Sequence, residues 1–357
     1  MKDTPVQNNF FIIGLPRSGT TMLEQMLDAH SKVAVCPEIS SGMAFSRMLK
    51  ENETIDYQKG RLLLNSFHQW AKSFDDPIKE CLSQLATTNS YYPLKASDFY
   101  NELMELYLTT KKAEIFGEKT PENLFYIPTI KRILPQSKYI VLLRNPLDVL
   151  LSMCECLGLV LKESVNDRLV FQLAPIVKKG LNELYNQNNL KDQSQIWINY
   201  EELIANPEPT LNRLCQFLGI KYEQEMMDFQ FRKKFVEGAA YNRIIHKGLD
   251  LPITNARIDR YKQVFTKQQI YWIYQYLLPE IQSLPYEIEY EKVPLSIKMK
   301  MELGYLKMAY RLRFHDISEF RKRWHNQIKY QLIKLFEHTL LGKYFTRNLK
   351  WDIEDWV

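Results

Sequence analysis

The sequence predicts an α/β protein with three layers, a central parallel β-sheet between two layers of helices, followed by a C-terminal helical extension. Three stretches carry this prediction, because each opens as a short apolar, β-rich run and continues into a helix-like pattern. These runs are FFII from Phe10, KYIVLLR from Lys138 and QIWINY from Gln195. Strands that alternate with helices along a chain favour a parallel sheet, since a helix can carry the chain back to the start of the next strand.

The first strand leads into the loop GLPRSGTT, residues 14 to 21, and the loop into TTMLEQMLDAH, whose apolar spacing predicts a helix. Gly14 and Gly19 have the spacing of the phosphate-binding loop G-x-x-x-x-G-K-[ST], but Thr20 stands in place of its lysine. Backbone N–H groups of such a loop, together with the positive end of the helix, form a site for anionic oxygens. The loop therefore predicts phosphate binding, with an ordinary strand-to-helix turn as the alternative.

The missing lysine indicates a ligand whose terminal group needs less neutralisation than a phosphoryl group. A phosphate-sulfate anhydride is such a ligand, because a sulfuryl group carries one formal negative charge. Arg17 would then supply positive charge through its planar guanidinium, and a metal ion would not be required.

Further elements follow in chain order. VAVC, from Val33 to Cys36, predicts a second strand, and residues 43 to 115 predict a mostly helical insertion beside the sheet, where acceptor pockets are common. The continuous apolar run of KYIVLLR is typical of a strand buried on both faces. NPLDVLLSMCECL after it predicts a helix with Pro146 near its first turn.

Four segments, in the order that the family has along its chain, resemble the sulfotransferases that use 3′-phosphoadenosine 5′-phosphosulfate (PAPS). GLPRSGTTML is similar to the 5′-phosphosulfate loop of the protein-tyrosine and bacterial branches, and IVLLRNPLDVLLSM to the 3′-phosphate segment. GEKTPEN is similar to the lysine-bearing segment, and INYEELIANPEPTLNRLCQFLG to the tyrosine-containing strand end and its helix. Over residues 10 to 290, the resemblance implies a sulfotransferase fold like that of the P-loop nucleoside triphosphatases.

The resemblance also implies which residues bind the nucleotide. The 5′-phosphate side would be held by the loop residues Arg17, Ser18, Gly19, Thr20 and Thr21. Arg144 and Ser152 would grip the 3′-phosphate, Tyr200 would contact the nucleotide, and Lys247 in HKGLDLP loosely matches a segment that closes over the 3′-phosphate. A second anion site would distinguish PAPS from ATP, which has no 3′-phosphate. Alternatives are that Arg144 pairs with Asp148 one turn along a helix and that Tyr200 is a core residue.

For the transfer step, the resemblance implies Glu38 in VCPEIS as the base and Lys119 near the oxygen of the leaving group, with Arg17 sharing that task. A glutamate of ordinary pKa, about 4.3, is a weak base at neutral pH, so the site must raise that pKa or align the carboxylate well. The protein-tyrosine branch has an arginine two residues after its glutamate, where Ser40 stands here. Alternatively, Glu38 complements a helix dipole and Lys119 is a solvated residue beside Glu118.

The composition favours reduced, mostly buried thiols, because five scattered cysteines do not suit a disulfide framework. The short spacing of Cys154 and Cys156, without a nearby histidine, does not indicate a metal site. The first residues lack the pattern of a signal peptide, and no window of about 18 apolar residues predicts a membrane span. We therefore expect a cytoplasmic protein.

The excess positive charge lies at the C-terminus. Residues 295 to 357 contain 13 Lys/Arg and 7 Asp/Glu, whereas the preceding 294 residues contain 34 and 35. From Leu303 to Leu335 apolar residues recur every three or four positions, which predicts basic amphipathic helices. This extension, separate from a sulfotransferase domain at 1–294, would pack on the domain or another copy, lie on an anionic membrane as a peripheral contact, or dock a partner. No nucleic-acid motif accompanies the charge.

Together these observations predict an enzyme that transfers a sulfuryl group from PAPS to an acceptor hydroxyl without a metal, leaving adenosine 3′,5′-bisphosphate. The acceptor would be a small metabolite, glycan, lipid or peptide. The alternatives are a metal-dependent P-loop kinase, and a non-catalytic adaptor of the same fold that docks through its basic tail.

Overall fold

The computed structural model describes eight stretches of the chain: residues 9–49, 54–71, 76–87, 94–156, 165–188, 193–228, 253–282 and 284–314. The chain divides into two compact units. The first comprises residues 1–144 and 187–255, and the second residues 145–186 and 256–357. The boundary expected after residue 294 stays a prediction. Among the described helices, none has the length and apolar character needed to cross a membrane.

A five-stranded parallel sheet forms the centre of the first unit, in the spatial order β2-β5-β1-β6-β7. The strands are β1 Asn9–Gly14, β2 Val33–Cys36, β5 Ile115–Lys119, β6 Lys138–Leu143 and β7 Gln195–Asn199, and a separate antiparallel pair consists of β3 Thr54–Ile55 and β4 Leu94–Lys95. The strands predicted at FFII, VAVC, KYIVLLR and QIWINY are therefore confirmed.

The sequence analysis missed strand β5, which lies between β2 and β1. Its sequence, IFGEK, ends in two charged residues and contains a glycine, which is not the pattern of a buried strand. Gly117 is needed because a Cβ there would lie 2.4 Å from Cζ of Phe10. Glu118 and Lys119 are buried at the strand end, where both have polar partners.

Thirteen α-helices are described in chain order. They are α1 Thr20–Asp28, α2 Ser41–Met48, α3 Tyr57–Ala71, α4 Ile78–Thr87, α5 Ala96–Lys111, α6 Ile127–Ile133, α7 Pro146–Cys156, α8 Asp167–Asn188, α9 Tyr200–Ala205, α10 Pro207–Leu218, α11 Tyr261–Val264, α12 Lys267–Ile281 and α13 Leu295–Phe314. Helices at the positions expected after the loop, after β6 and after β7 are thereby confirmed.

Alternation along β1 places its side chains on two faces of the sheet, as expected for a strand buried on both sides. Phe10 and Ile12 enter a core with Leu23 and Leu27 of α1, and leucines of α9 and α10 belong to the same core. Phe11 points to the other face, where its ring stacks on Tyr139 of β6 at 5.8 Å. The predicted three-layer arrangement is therefore present in the first unit.

The second face of the sheet is covered by the region predicted as a helical insertion. Tyr100 of α5 stacks on Phe11 at 6.4 Å between ring centroids and meets Phe116 edge-on at 6.0 Å. Phe45 of α2 contacts Tyr100 at 5.6 Å and Phe67 of α3 at 6.0 Å. The described part of residues 43–115 is mainly helical, and its aromatic residues build one of the three layers.

In the second unit, Asp148 of α7 accepts hydrogen bonds from the backbone N–H groups of Asp259 and Tyr261, at 2.8 and 2.9 Å. Helix α13 packs through Tyr305, whose ring lies 5.4 Å from Trp272 of α12 and 6.1 Å from Phe171 of α8.

The predicted apolar stripe of the extension begins on the opposite face of α13. Leu303 and Leu306 are 52% and 58% exposed, whereas Met301 is buried. The aromatic contacts of Tyr305 select the face of the helix that packs, so Leu303 and Leu306 do not pack on the described part of the domain. The expected contact of the stripe with another copy, a membrane or a partner stays a prediction. The remainder of the stripe, to Leu335, lies beyond the side chains that the structure describes.

The five cysteines are free thiols, as expected. Cys156 is half-buried, and the other four are buried. Burial raises the pKa of Cys215 to about 11, so that this thiol is protonated at neutral pH. Among the described residues, no group of three or more His, Cys, Asp or Glu side chains is arranged to hold a metal ion.

We expect Leu27→Ala to lower the free energy of unfolding by about 2 to 5 kcal/mol, because Leu27 is fully buried between α1 and the sheet. Leu62→Ala removes the same atoms from a side chain that is 56% exposed on α3, and it should change stability by about 0.5 kcal/mol or less. Urea denaturation of both variants checks the assignment of the core, and equal losses would contradict it.

Candidate functional site

Most of the predicted site residues lie at one edge of the sheet. Because its five strands are parallel, their carboxyl ends meet there, and this is the edge at which open α/β sheets bind ligands. Five groups follow these ends in spatial order: Glu38 after β2, Lys119 at the end of β5, the loop from Gly14 to Gly19 after β1, Arg144 after β6 and Tyr200 after β7. The fold therefore brings together residues that are separated by up to 186 positions in the sequence.

The glycines of the loop are required by close contacts. A Cβ at Gly14 would lie 2.6 Å from the carbonyl oxygen of Leu142 on the neighbouring strand. Gly19 has a φ of 103°, in the left-handed region, and a Cβ there would lie 2.6 Å from Cδ2 of Tyr200. Arg17 also has a positive φ, 75°, which is uncommon for a residue with a side chain. The backbone conformation of the loop is thus unusual at two of its positions.

Helix α1 begins directly after this turn. The Gly19 carbonyl accepts the first hydrogen bonds of the helix from the N–H groups of Met22 and Leu23, at 3.0 and 3.2 Å. Gly19 has no side chain to cap the helix, so the N–H groups of the first turn have no capping side-chain acceptor there. The positive end of the helix dipole and these donors suit the predicted anion site.

The hydroxyl groups of the loop support the same interpretation. Ser18 is fully buried, and among the described residues its Oγ has no hydrogen-bond partner. A buried hydroxyl without a partner costs about 1 to 3 kcal/mol, which an anionic oxygen at the loop would offset. Thr20 is buried and Thr21 half-buried at the start of α1. The residues present therefore fit a phosphate group.

Arg144 connects the loop to the strands beside it. Its guanidinium is largely buried, and Nη1 donates a hydrogen bond to the carbonyl oxygen of Arg17 at 3.0 Å. The same guanidinium lies 4.3 Å from the ring centroid of Tyr200, a cation–π contact. Tyr200 thus contacts both Gly19 and Arg144 and helps to hold the arginine beside the loop. Its contact with a nucleotide stays a prediction.

Two of the predicted nucleotide contacts do not belong to the described part of the first unit. Ser152 is buried on α7 in the second unit, eight residues after Arg144. Lys247 lies outside the described residues. The roles of Ser152 and Lys247 stay predictions. Both carboxylate oxygens of Asp148 accept backbone hydrogen bonds within the second unit, so Asp148 has partners other than Arg144. The pairing of Arg144 with Asp148 stays an alternative.

Lys119 lies between two carboxylates. Its Nζ is 2.7 Å from Oε1 of Glu38 and 3.4 Å from Oε2 of Glu24 on α1. Burial on its own lowers the pKa of Lys119, but Glu38 and Glu24 more than offset it, and the pKa is raised above its usual value. With 1% of its side chain exposed, Lys119 is a buried ammonium, and the alternative of a solvated lysine is wrong.

Glu38 occupies the segment between β2 and α2. The first turn of α2 contains no acidic residue, so the alternative that Glu38 complements the dipole from that turn is wrong. Its side chain is 15% exposed and pairs with Lys119 instead. The base predicted from the sequence and the lysine predicted to steady the leaving group are therefore in direct contact.

Glu118 points to the opposite face of the sheet from Lys119. Its buried carboxylate accepts hydrogen bonds from neutral donors on three elements, which are the N–H and hydroxyl of Ser41, the hydroxyls of Tyr100 and Thr120 and the amide of Asn123. Burial and the charge of Glu118 raise the pKa of Tyr100 well above its usual value, so this phenol stays a donor. Glu118 thus ties the start of α2 to β5, close to Glu38 in the chain.

The sequence analysis did not identify Glu24 and Glu118 as members of the site. The signal at Glu24 is an acidic residue within the otherwise largely apolar run TTMLEQMLD, where a buried charge needs a partner. At Glu118 the signal was hidden, because IFGEK does not have the apolar pattern that would show both residues to be buried.

The chain was compared with known proteins. Residues 9–224 match the model of the sulfotransferase family. A putative protein-tyrosine sulfotransferase of Caenorhabditis briggsae is 28% identical over 219 residues, which cover 61% of this chain and 67% of that protein. Protein-tyrosine sulfotransferase A of Caenorhabditis elegans is 25% identical over 218 residues, 61% of this chain and 51% of its own length. The chain thus spans about two thirds of one relative and about half of the other.

A solved structure agrees with the fold. The sulfotransferase domain of the Synechococcus PCC 7002 olefin synthase superposes with a TM-score of 0.51 at 16% identity, covering 88% of this chain and 98% of that domain. Similarity at this level of identity concerns the fold alone.

We expect Gly19→Ala to weaken the binding of adenosine 3′,5′-bisphosphate by about tenfold or more, because the new methyl group collides with Tyr200 in a backbone conformation that disfavours it. Gly219→Ala is the matched control: Gly219 also has a positive φ, 81°, but a Cβ there meets nothing within 4 Å. The control should cost about 1 kcal/mol of stability and leave binding unchanged. Isothermal titration calorimetry checks this, and equal affinities of the two variants would contradict the role of the loop.

Proposed function

The chain belongs to the sulfotransferase family, and from this premise we propose that it transfers the sulfuryl group of PAPS to an acceptor hydroxyl. The observation that carries the proposal is the order of the functional groups along the sheet edge. Along this edge, the carboxylate of Glu38 is followed by the ammonium of Lys119, then by the loop, and then by the guanidinium of Arg144. PAPS has the corresponding order of sulfuryl group, 5′-phosphate and 3′-phosphate.

The dimensions of the sheet support this match. Neighbouring strands lie about 4.8 Å apart, so Arg144 emerges one strand from the loop and Glu38 two strands from it on the other side. An arginine at this distance suits the 3′-phosphate of a nucleotide whose 5′-phosphate lies on the loop. Glu38 is then on the side of the sulfuryl group, where an acceptor must approach. Ser152 and Lys247 remain proposed partners of the 3′-phosphate.

The proposed reaction is an in-line displacement at sulfur. The Glu38 carboxylate accepts the proton of the acceptor hydroxyl, the acceptor oxygen forms a bond to sulfur, and the bond between sulfur and the 5′-phosphate oxygen breaks. Lys119 and Arg17 offset the negative charge that develops on the departing adenosine 3′,5′-bisphosphate. The N–H groups and hydroxyls of Ser18, Thr20 and Thr21 hold the 5′-phosphate, so the proposed mechanism requires no metal.

The acceptor is proposed as a hydroxyl-bearing molecule, with a small metabolite, glycan, lipid and peptide all compatible with the chemistry. The names of the relatives favour a phenol as one acceptor type. Ser40, in place of the arginine of the protein-tyrosine branch, is buried and carries no charge. It therefore supplies no positive group for an acidic peptide. A cytoplasmic location, and membrane or oligomer contacts through residues 303–335, remain proposals.

The two alternative functions are less well supported. A P-loop kinase is not favoured by membership of the sulfotransferase family or by Thr20 in the place of the lysine. A non-catalytic adaptor would not need an ion pair between Glu38 and the buried Lys119 beside the loop. Activity measurements separate this alternative from the enzyme.

We expect the protein to bind adenosine 3′,5′-bisphosphate in the presence of EDTA and to prefer it to adenosine 5′-monophosphate. Arg144→Ala should weaken bisphosphate binding by about 10- to 100-fold, because a hydrogen bond to a charged group contributes about 1.5 to 3 kcal/mol. Arg61→Ala, at an exposed arginine on α3, is the control and should bind normally. Calorimetry with both nucleotides and with ATP tests the proposal, and a bisphosphate affinity that Arg144→Ala leaves intact would sink it.

We expect Glu38→Gln to lower kcat by about 100- to 10,000-fold, because the amide cannot accept the acceptor proton. Lys119→Ala should lower kcat by about 100- to 1000-fold through loss of charge at the leaving group. Glu114→Gln, which removes an exposed partner of Lys32, is the control. The measurement is the consumption of radiolabelled PAPS with phenol as the probe acceptor. Unchanged turnover in both site variants, with an active wild type, would refute the catalytic assignment.

A further inference from the structure

The contact between Glu38 and Lys119 raises a question that the proposed reaction must answer. Once the Glu38 carboxylate has accepted the proton of an acceptor hydroxyl, it no longer carries the charge that balances the Lys119 ammonium, whose Nζ donates to Oε1 at 2.7 Å. If Glu38 left Lys119 to take that proton, a lysine with no other counter-ion would become an unpaired buried charge. Such a state is strongly unfavourable.

We propose that Glu24 is a positioning residue: a fixed counter-ion that keeps Lys119 in place while Glu38 leaves the ammonium and acts as the base. The inference rests on the proposed function and deepens it, because it divides two tasks between the two carboxylates that contact one lysine. Glu38 handles the proton, and Glu24 holds the cation.

Differences in exposure assign these tasks. The Glu24 side chain is 2% exposed and the Glu38 side chain 15%, so an acceptor that enters from solvent meets Glu38. Glu24 lies in the second turn of α1, beside Leu23 and Leu27, which are fully buried against the sheet. Glu38 belongs to the non-helical segment between β2 and α2. The carboxylate on the packed helix therefore has less freedom to move than the one on the loop.

The balance of charge supports this division. Before transfer, the ammonium and the two carboxylates carry a net charge of −1. After Glu38 has accepted the proton, Lys119 and Glu24 remain as a neutral pair next to an uncharged Glu38. Lys119 is thus never without a counter-ion during the cycle, and it can turn toward the oxygen of the departing bisphosphate without losing both of its partners.

A third carboxylate also acts on this lysine. Glu122, in the 3-10 turn Pro121–Tyr126 that follows β5, is buried and contributes to the raised pKa of Lys119. Glu24 and Glu38 both lie within ion-pair distance of Nζ. In the part of the chain that the structure describes, the groups that raise the pKa of Lys119 include Glu24 from α1, Glu38 from the segment after β2 and Glu122 from this turn.

The test is Glu24→Gln, with radiolabelled PAPS and phenol as probes. We expect kcat to fall by about tenfold or more. A tenfold fall corresponds to a loss of about 1.4 kcal/mol of transition-state stabilisation. Binding of adenosine 3′,5′-bisphosphate should change by about threefold or less, because the loop and Arg144 are untouched.

The dependence of kcat on pH distinguishes a positioning role from structural damage. Glu24 is one of the charges that raise the pKa of Lys119, so its removal makes this ammonium easier to deprotonate and should move the alkaline limb of the profile to lower pH. NMR of lysine side chains labelled with nitrogen-15, with Lys119 assigned by Lys119→Arg, should show a lower pKa for Lys119 in the variant. A purely structural defect would lower the rate without moving either limb.

Two further variants serve as controls. Asp28→Asn removes a buried carboxylate from the same helix, one that accepts the N–H of Val35 at 2.7 Å and lies 3.7 Å from Lys111. This variant should lower the melting temperature but leave both limbs in place. Glu24→Asp retains the charge and should restore part of the rate and most of the pH profile.

The outcomes separate the two proposals. A wild-type protein that neither binds the bisphosphate nor consumes PAPS would refute the proposed function itself. An active wild type with an unchanged rate or unmoved pH limbs in Glu24→Gln would overturn the role of Glu24 alone. If Glu24→Gln does not fold, Glu24→Asp decides: a small displacement of the alkaline limb to lower pH supports the inference, and a reduced rate with unmoved limbs contradicts it.

Discussion

The parallel direction of five strands is the constraint on which the site depends. When every strand runs in the same direction, the carboxyl ends of all strands lie at the same edge. Residues that are far apart in the sequence therefore meet there. The order of the strands, β2-β5-β1-β6-β7, then arranges Glu38, Lys119, the loop and Arg144 in a row. An antiparallel pair within the sheet would send alternate groups to the opposite edge.

The loop shows how a local conformation depends on its surroundings. Gly14 and Gly19 allow the backbone to pass close to Leu142 and Tyr200. The guanidinium of Arg144 stabilises this loop conformation by donating a hydrogen bond to the carbonyl oxygen of Arg17. Residues at the ends of two neighbouring strands, β6 and β7, therefore contact the loop and hold its conformation, which the proposed anion site requires. An arginine fixed in this way contributes to binding with little loss of side-chain freedom.

Charge is managed differently on the two faces of β5. Glu118 is stabilised by hydroxyl and amide donors, which satisfy a buried carboxylate without a cation. Lys119, the next residue, faces α1 and is stabilised by two carboxylates. Buried charges cost several kcal/mol each unless they are paired or hydrogen-bonded, so a strand with two of them in succession indicates function more than stability.

The sequence by itself determined the strand-loop-helix units and the family, and it predicted that the glycine loop binds an anion, because short-range patterns such as GLPRSGTT and KYIVLLR carry their own physical signature. It also indicated Glu38, Lys119 and Arg144 as candidate site residues, through motifs that lie at the ends of strands. Only the tertiary structure decided that β5 is a strand, that Glu24 reaches Lys119 and that Leu303 faces solvent. The reason is that burial and ion pairing depend on which elements are neighbours across the sheet, and no local pattern in one segment contains that information.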